Sequence, residues 1–266
     1  MNRWLAKTAL RRWPAVKRIL SVPVLGSCLR LGGKLLLPRN SLVWMQVRSG
    51  EAKGLWIELN PRTGGTFYDG TSELAVQEFV ARHLQPNMVF YDLGANCGLF
   101  SLIAARRVGP GGRVYSFEPD PELAERLRRN VQRNRFQHCT VVESAVWNRT
   151  GTLRFSRSDP SMSLDRGTGH IASPEESSEL PSVRALALDD FARNNEAPNL
   201  IKCDVEGAEA QVFEGAERLL TSHSPAIVCE IHSESASKAV RNLLEQFRYA
   251  ISELDGNHIA AERVRN

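Results

Sequence analysis

From residue 88 onward, short and almost uninterrupted apolar runs alternate with segments of helical periodicity. MVFYDLG precedes LFSLIAARRV, GRVYSFE precedes PELAERLRRNVQRN, LIKCDVE precedes AQVFEGAERLL, and AIVCEIH precedes SKAVRNLLEQF. CTVVESAVW reads as one further strand. Strands apolar on both faces must be covered on both faces, so the pattern predicts an α/β chain with a doubly wound, mostly parallel sheet. The closing segments YAISELDG and HIAAERV suit an antiparallel hairpin at one edge of that sheet. Upstream, 42–48 and 54–59 read as a small β-hairpin, and 71–84 as a helix opening at Thr71 or Ser72.

Two segments stand outside this pattern. In 1–40, Leu5, Ala9, Trp13, Val16 and Leu20 recur at helical spacing, with interruptions at Pro14, Pro23 and Gly32-Gly33. Segment 158–182 holds seven Ser and three Pro and reads as a lid or an unstructured loop. The expected organisation is therefore a helical basic segment, 1–40, followed by one α/β domain, 41–266.

Charge separates these parts further. Residues 1–40 carry nine Lys and Arg and no acid, which leaves 25 of the chain's 34 basic residues against all 30 acidic ones in the body. An acidic body argues against a nucleic-acid partner, whereas the basic, Trp- and Leu-bearing head suits either packing over the acidic body of the same domain, where it would shape the acceptor pocket, or peripheral contact with an anionic membrane surface. No run approaches the roughly 18 apolar residues of a spanning helix, and no clean signal sequence is visible. The five cysteines, at 28, 97, 139, 203 and 229, form no C-x-x-C pair. They read as buried small side chains in a reducing cytoplasm, in places at the inner face of the membrane.

The chemistry should gather at the carboxyl ends of the strands, where open α/β sheets bind ligands. The first strand ends in Asp92-Leu93-Gly94-Ala95-Asn96-Cys97-Gly98, whose glycines permit a tight turn and close backbone approach. This is not G-x-G-x-x-G, and the leading acid suits a cationic or zwitterionic ligand better than a pyrophosphate. Glu118, at the tip of the second strand, can accept hydrogen bonds from both hydroxyls of a ribose. Asp120 and Pro121 read as N-cap and first residue of the next helix. Ser144-Ala145 leaves room for a flat ring.

Lys202, Asp204 and Glu206 alternate along the fourth strand and so share one face. Glu230 and His232 do the same on the fifth. Charges in such positions are costly unless paired or functional. They could deprotonate a hydroxyl or hold a divalent metal. The remaining histidines, including His170 and His258, have no neighbour at metal-ligand spacing and read as structural or surface residues. Neither G-x-S-x-G nor G-x-x-x-x-G-K-[ST] occurs, which removes hydrolase-elbow and P-loop chemistry.

Taken together, YDLGANCGLFSL, VYSFEPDPELAERLRRN, ESAVWNRTG, LALDDF, LIKCDVEGAEAQVFEGA and PAIVCEIH resemble the FkbM-type S-adenosylmethionine-dependent methyltransferases over about 88–232. The resemblance implies a class I, Rossmann-like methyltransferase fold. It implies methyl transfer to a hydroxyl of a sugar, lipid-linked glycan or natural product, with S-adenosylmethionine as cofactor. It would place the cofactor over Gly94, Ala95, Asn96 and Gly98, with Asp92 near its methionine or ribose part, Glu118 on the ribose and Ser144-Ala145 by the adenine. Asp204, Glu206, Glu230 and His232 would face the acceptor, with Asp204 or His232 as base and Lys202 orienting. The competing readings are an RNA or protein methyltransferase, a non-catalytic cofactor-binding scaffold and an NAD or nucleotide-sugar enzyme.

Overall fold

The computed structural model describes residues 41–157, 169–172 and 179–264. The expected helices of 1–40 and most of the expected lid lie outside these. The chain divides into Met1–Leu42 and Val43–Asn266, and every element below belongs to the second unit.

The elements run β1 (Val43–Gln46), β2 (Trp56–Leu59), α1 (Gly65–Asp69), α2 (Leu74–His83), β3 (Val89–Leu93), α3 (Leu99–Val108), β4 (Arg113–Phe117), α4 (Pro121–Arg133), β5 (Cys139–Val142), β6 (Ala145–Val146) and β7 (Gly151–Ser156). They continue with β8 (His170–Ile171), β9 (Ser182–Leu186), α5 (Leu188–Phe191), β10 (Leu200–Cys203), α6 (Glu209–Glu214), α7 (Glu217–Ser222), β11 (Ala226–Glu230), α8 (Glu234–Gln246), β12 (Tyr249–Glu253) and β13 (His258–Arg263). Seven strands form the central sheet in the order β12-β13-β11-β10-β3-β4-β5. All neighbours pair in parallel except β13, which runs antiparallel to β11 and β12. From β3 the chain works outward through β4 to β5, then returns to lay β10 on the other side of β3. The switch point therefore lies between β3 and β10.

Burial on both faces explains the apolar runs. Phe90 and Leu200 enter a core with α2, α3 and the β1–β2 hairpin. Their neighbours Tyr91, Leu93, Ile201 and Cys203 enter a second core with α6, α7 and α8. Successive strand residues point to opposite faces, so both faces need cover. Asp120 caps α4 by accepting from the Glu122 and Leu123 N–H groups, with Pro121 next to it, as the sequence predicts. The hairpin is tied to α4 through Arg126 Nε, which donates to the Glu58 carbonyl, and through the Asn130 side chain, which bridges Glu58 and Cys97.

Three expectations need correction. The second upstream helix starts at Leu74, not Thr71 or Ser72; Glu73 precedes it in the left-handed region and no side chain caps it. CTVVESAVW is two strands, not one. It breaks at Glu143-Ser144, and β6 leaves the central sheet for a small sheet ordered β6-β9-β7-β8. Part of the expected lid is a strand, since β8 pairs with β7 inside 158–182.

Candidate active site

Carboxyl ends of β3, β4, β5 and β10 border a cavity. Its floor is the turn from β3 to α3. Gly94 has φ of +72°, and the N–H groups of Gly94 and Ala95 both donate to the Phe117 carbonyl. A Cβ on Gly94 would sit 1.7 Å from the Asp204 carbonyl oxygen, so only glycine lets the two strand ends meet. Asn96 N–H donates to Glu118 Oε2 at 2.8 Å, and Asp120 N–H to Oε1 at 2.9 Å. These bonds hold Glu118 at the cavity wall while burial pushes its carboxyl up to about 7.

Gly94, Asn96, Glu118, Ser144 and Ala145 line this cavity, as do Asp204 and Glu206. Three residues expected at the cofactor do not. Asp92 is fully buried opposite Lys202 across the β3–β10 pair, because strand parity turns it away from Leu93. It accepts from Ser101 Oγ at 2.5 Å, and burial raises its pKa against the pull of Lys202. Ala95 is buried. A Cβ on Gly98 would strike Leu127, so that glycine answers to helix packing.

The acidic side of the cavity is a cross-linked cluster. Lys202, buried beside the Phe100 ring, donates to Asp204 Oδ2 at 3.0 Å. Burial opposes the charge on both, yet their pairing keeps Lys202 protonated and Asp204 ionised. His232 stands behind them. Its Nδ1 lies 2.8 Å from Glu209 Oε1, and its Nε2 is 3.3 Å from Glu206, 3.7 Å from Asp204 and 3.9 Å from Glu230. The Glu209 bond raises His232 to about 9 despite burial. Burial lifts Glu206 to about 7, against the attraction of His232. All five acceptor-side residues predicted from sequence therefore stand in or beside one cluster, with Asp204 and Glu206 at the cavity and Lys202, Glu230 and His232 in support.

Other participants escaped the sequence reading. Glu209 is fully buried at the first turn of α6 and orients His232. Phe155, Gly169, His170 and Ile171, from the β7–β8 pair, form one cavity wall. Asp120 lines the cavity while capping α4, and Arg157 holds it with two bonds of 2.8 Å. His258 is buried as the cross-strand partner of Glu230, outside the cavity lining. An acid three residues after Glu206 was the visible signal for Glu209; the others depend on pairings remote in sequence.

A sheet in this order, with a glycine turn after its first strand and an acid at the tip of its second, defines a class I S-adenosylmethionine-dependent methyltransferase. The chain belongs to the FkbM methyltransferase family: the family's model, described as a methyltransferase FkbM domain, matches residues 92–251. It is 29% identical over 182 residues to the hexuronic acid methyltransferase AglP of Haloferax volcanii, covering 67% of this chain and 70% of that one. It is 30% identical over 198 residues to the 2-O-methyltransferase NoeI of Sinorhizobium fredii, covering 66% and 79%. A crystal structure of an FkbM methyltransferase from Methylobacillus flagellatus aligns with a TM-score of 0.48 at 20% identity, over 74% of this chain and about half, 53%, of that one.

Proposed function

We propose that this methyltransferase modifies a hydroxyl oxygen of a sugar, free, lipid-linked or within a glycosylated natural product. One observation carries the reading: a single cavity joins Glu118 and the glycine turn to Asp204 and Glu206. The donor set fits the cofactor. A buried carboxylate matches a ribose diol, and Ala145, Val146 and Phe155 offer an apolar slot for an aromatic ring. When bound, the sulfonium supplies an electrophilic methyl group. The protein's own work is to align the acceptor and take its proton. Asp204, kept ionised by Lys202, orients the hydroxyl. Glu206, poised near 7, is best matched to receive the proton at neutral pH. His232, charged at that pH, offsets the surrounding carboxylates. The names of AglP and NoeI, a hexuronic acid and a 2-O-methyltransferase, support a sugar acceptor.

The test combines calorimetry with S-adenosylmethionine and a screen of neutral, amino and uronic hexosides for S-adenosylhomocysteine release. Glu206→Gln should lower turnover about 10²–10⁴-fold and Asp204→Asn comparably, with cofactor affinity held within a few-fold. Methylation of RNA or protein alone, or wild-type turnover in both variants, overturns the assignment. Asp204, Glu206 and His232 also present three donor atoms within 4.8 Å of one another. Activity lost on chelation and restored by Mg²⁺ would give these side chains to a metal instead. No helix among the described residues is long and apolar enough to cross a membrane; contact with a lipid-linked acceptor would fall to the basic head.

A further inference from the structure

We propose that Glu73, Glu230 and His258 form a binding site for one divalent transition-metal cation, next to the acidic cluster and sharing Glu230 with it. Three elements converge there. Glu230 ends β11, His258 opens β13 directly opposite it, and Glu73 immediately precedes α2. His258 Nε2 lies 3.5 Å from Glu73 Oε2 and 3.6 Å from Glu230 Oε2. The three donor atoms fall within 4.8 Å of one another.

His258 is ion-paired with Glu73, Glu230 and Asp255, and two observations favour a cation between these groups. The His258 side chain is only 6% exposed, yet its Nε2 makes no hydrogen bond, and neither does the buried Glu73 Oε2 facing it. A hydrogen-bonded pair would close to about 2.9 Å. Two ligands at about 2.0–2.1 Å from a tetrahedral Zn²⁺ stand about 3.3–3.4 Å apart, nearer the spacing found. Moreover, the other ring nitrogen is committed. His258 Nδ1 lies 2.8 Å from Asp255 Oδ1, which also accepts the N–H groups of Asn257 and His258. A carboxylate on one nitrogen fixes the ring and presents the other as a ligand, the usual arrangement of metal-binding histidines. One imidazole and two carboxylates suit Zn²⁺ or Mn²⁺ better than Mg²⁺ or Ca²⁺, which prefer all-oxygen sets. A cation here would pin the antiparallel edge of the sheet to α2. It would also fix Glu230, whose other oxygen faces His232.

The experiment uses the full chain, stripped with chelator and dialysed against Zn²⁺, with Mg²⁺ as control. Metal content and thermal melting are read without cofactor. One equivalent of Zn²⁺ should bind and raise Tm by about 5–10 °C at a hundred-fold excess over Kd. Glu73→Gln and His258→Gln should each weaken uptake at least ten-fold, while Asp204→Asn retains it. Absence of uptake with an unchanged melt overturns the proposal and leaves His258 as an imidazolium among carboxylates. Uptake lost in Asp204→Asn but kept in the other two also overturns it, because the cation then belongs to the neighbouring cluster. The wild-type and Asp204→Asn measurements stand whether or not the other variants fold.

Discussion

Glu118 is a carboxyl group under two opposing demands. Burial favours its neutral form and brings it to about 7, whereas two backbone N–H groups and any bound diol favour the carboxylate. Cofactor binding should therefore release a proton near neutral pH. Affinity for S-adenosylmethionine should weaken as pH falls from 8 to 6, by up to about ten-fold, and level off above pH 8. Glu118→Gln should flatten that dependence and leave only the cofactor's own titration. Calorimetry across this range in buffers of differing ionisation heat checks both statements. A wild-type affinity that does not change with pH would remove Glu118 from the ribose.

At the level of elements, the contact between two strand ends decides whether the cavity exists. Gly94 meets the Asp204 backbone, and Asp204 N–H donates to the Leu93 carbonyl at 3.0 Å. Gly94→Ala adds a side chain in a left-handed conformation and a clash with backbone. It should cost about 2–4 kcal/mol and lower Tm by about 5–15 °C. A melt within 2 °C of wild type would show that the turn can move aside. This contact also marks where the sequence stops being legible. The strands of the central sheet and the cap at Asp120 are readable because each follows from periodicity or local chemistry, whereas the extended fourth strand expected to carry Lys202, Asp204 and Glu206 on one face ends at Cys203, and Glu206 has φ of +53°. Asp92 and Lys202 are individually conspicuous, but only the β3–β10 register shows that they face each other inside the sheet. The pairing of Glu230 with His258 likewise depends on an antiparallel neighbour that periodicity cannot assign. The break in CTVVESAVW was hidden because β5 and β6 are both apolar, though they belong to different sheets.

For the whole molecule, the charge contrast between head and body makes its own forecast. With nine basic residues and no acid in 1–40, the protein should sediment with anionic vesicles at low salt and be released by about 0.5 M salt. Replacing Arg3, Lys7, Arg11 and Arg12 with Gln removes about 4 kcal/mol of attraction at about 1 kcal/mol each. Vesicle binding should fall roughly a hundred- to thousand-fold; unchanged sedimentation would dismiss the membrane role. The return of the chain to β3 has a different consequence, one that concerns synthesis. β3, β4 and β5 leave the ribosome first, and the strand that covers the other side of β3 follows about 110 residues later, roughly 5–20 s at ordinary elongation rates. Throughout that interval the nascent chain presents the unpaired edge of β3, a template for wrong pairing with other chains. Slow elongation through 94–200 should therefore lower the yield of soluble protein, and holding the nascent chain on a chaperone should restore it.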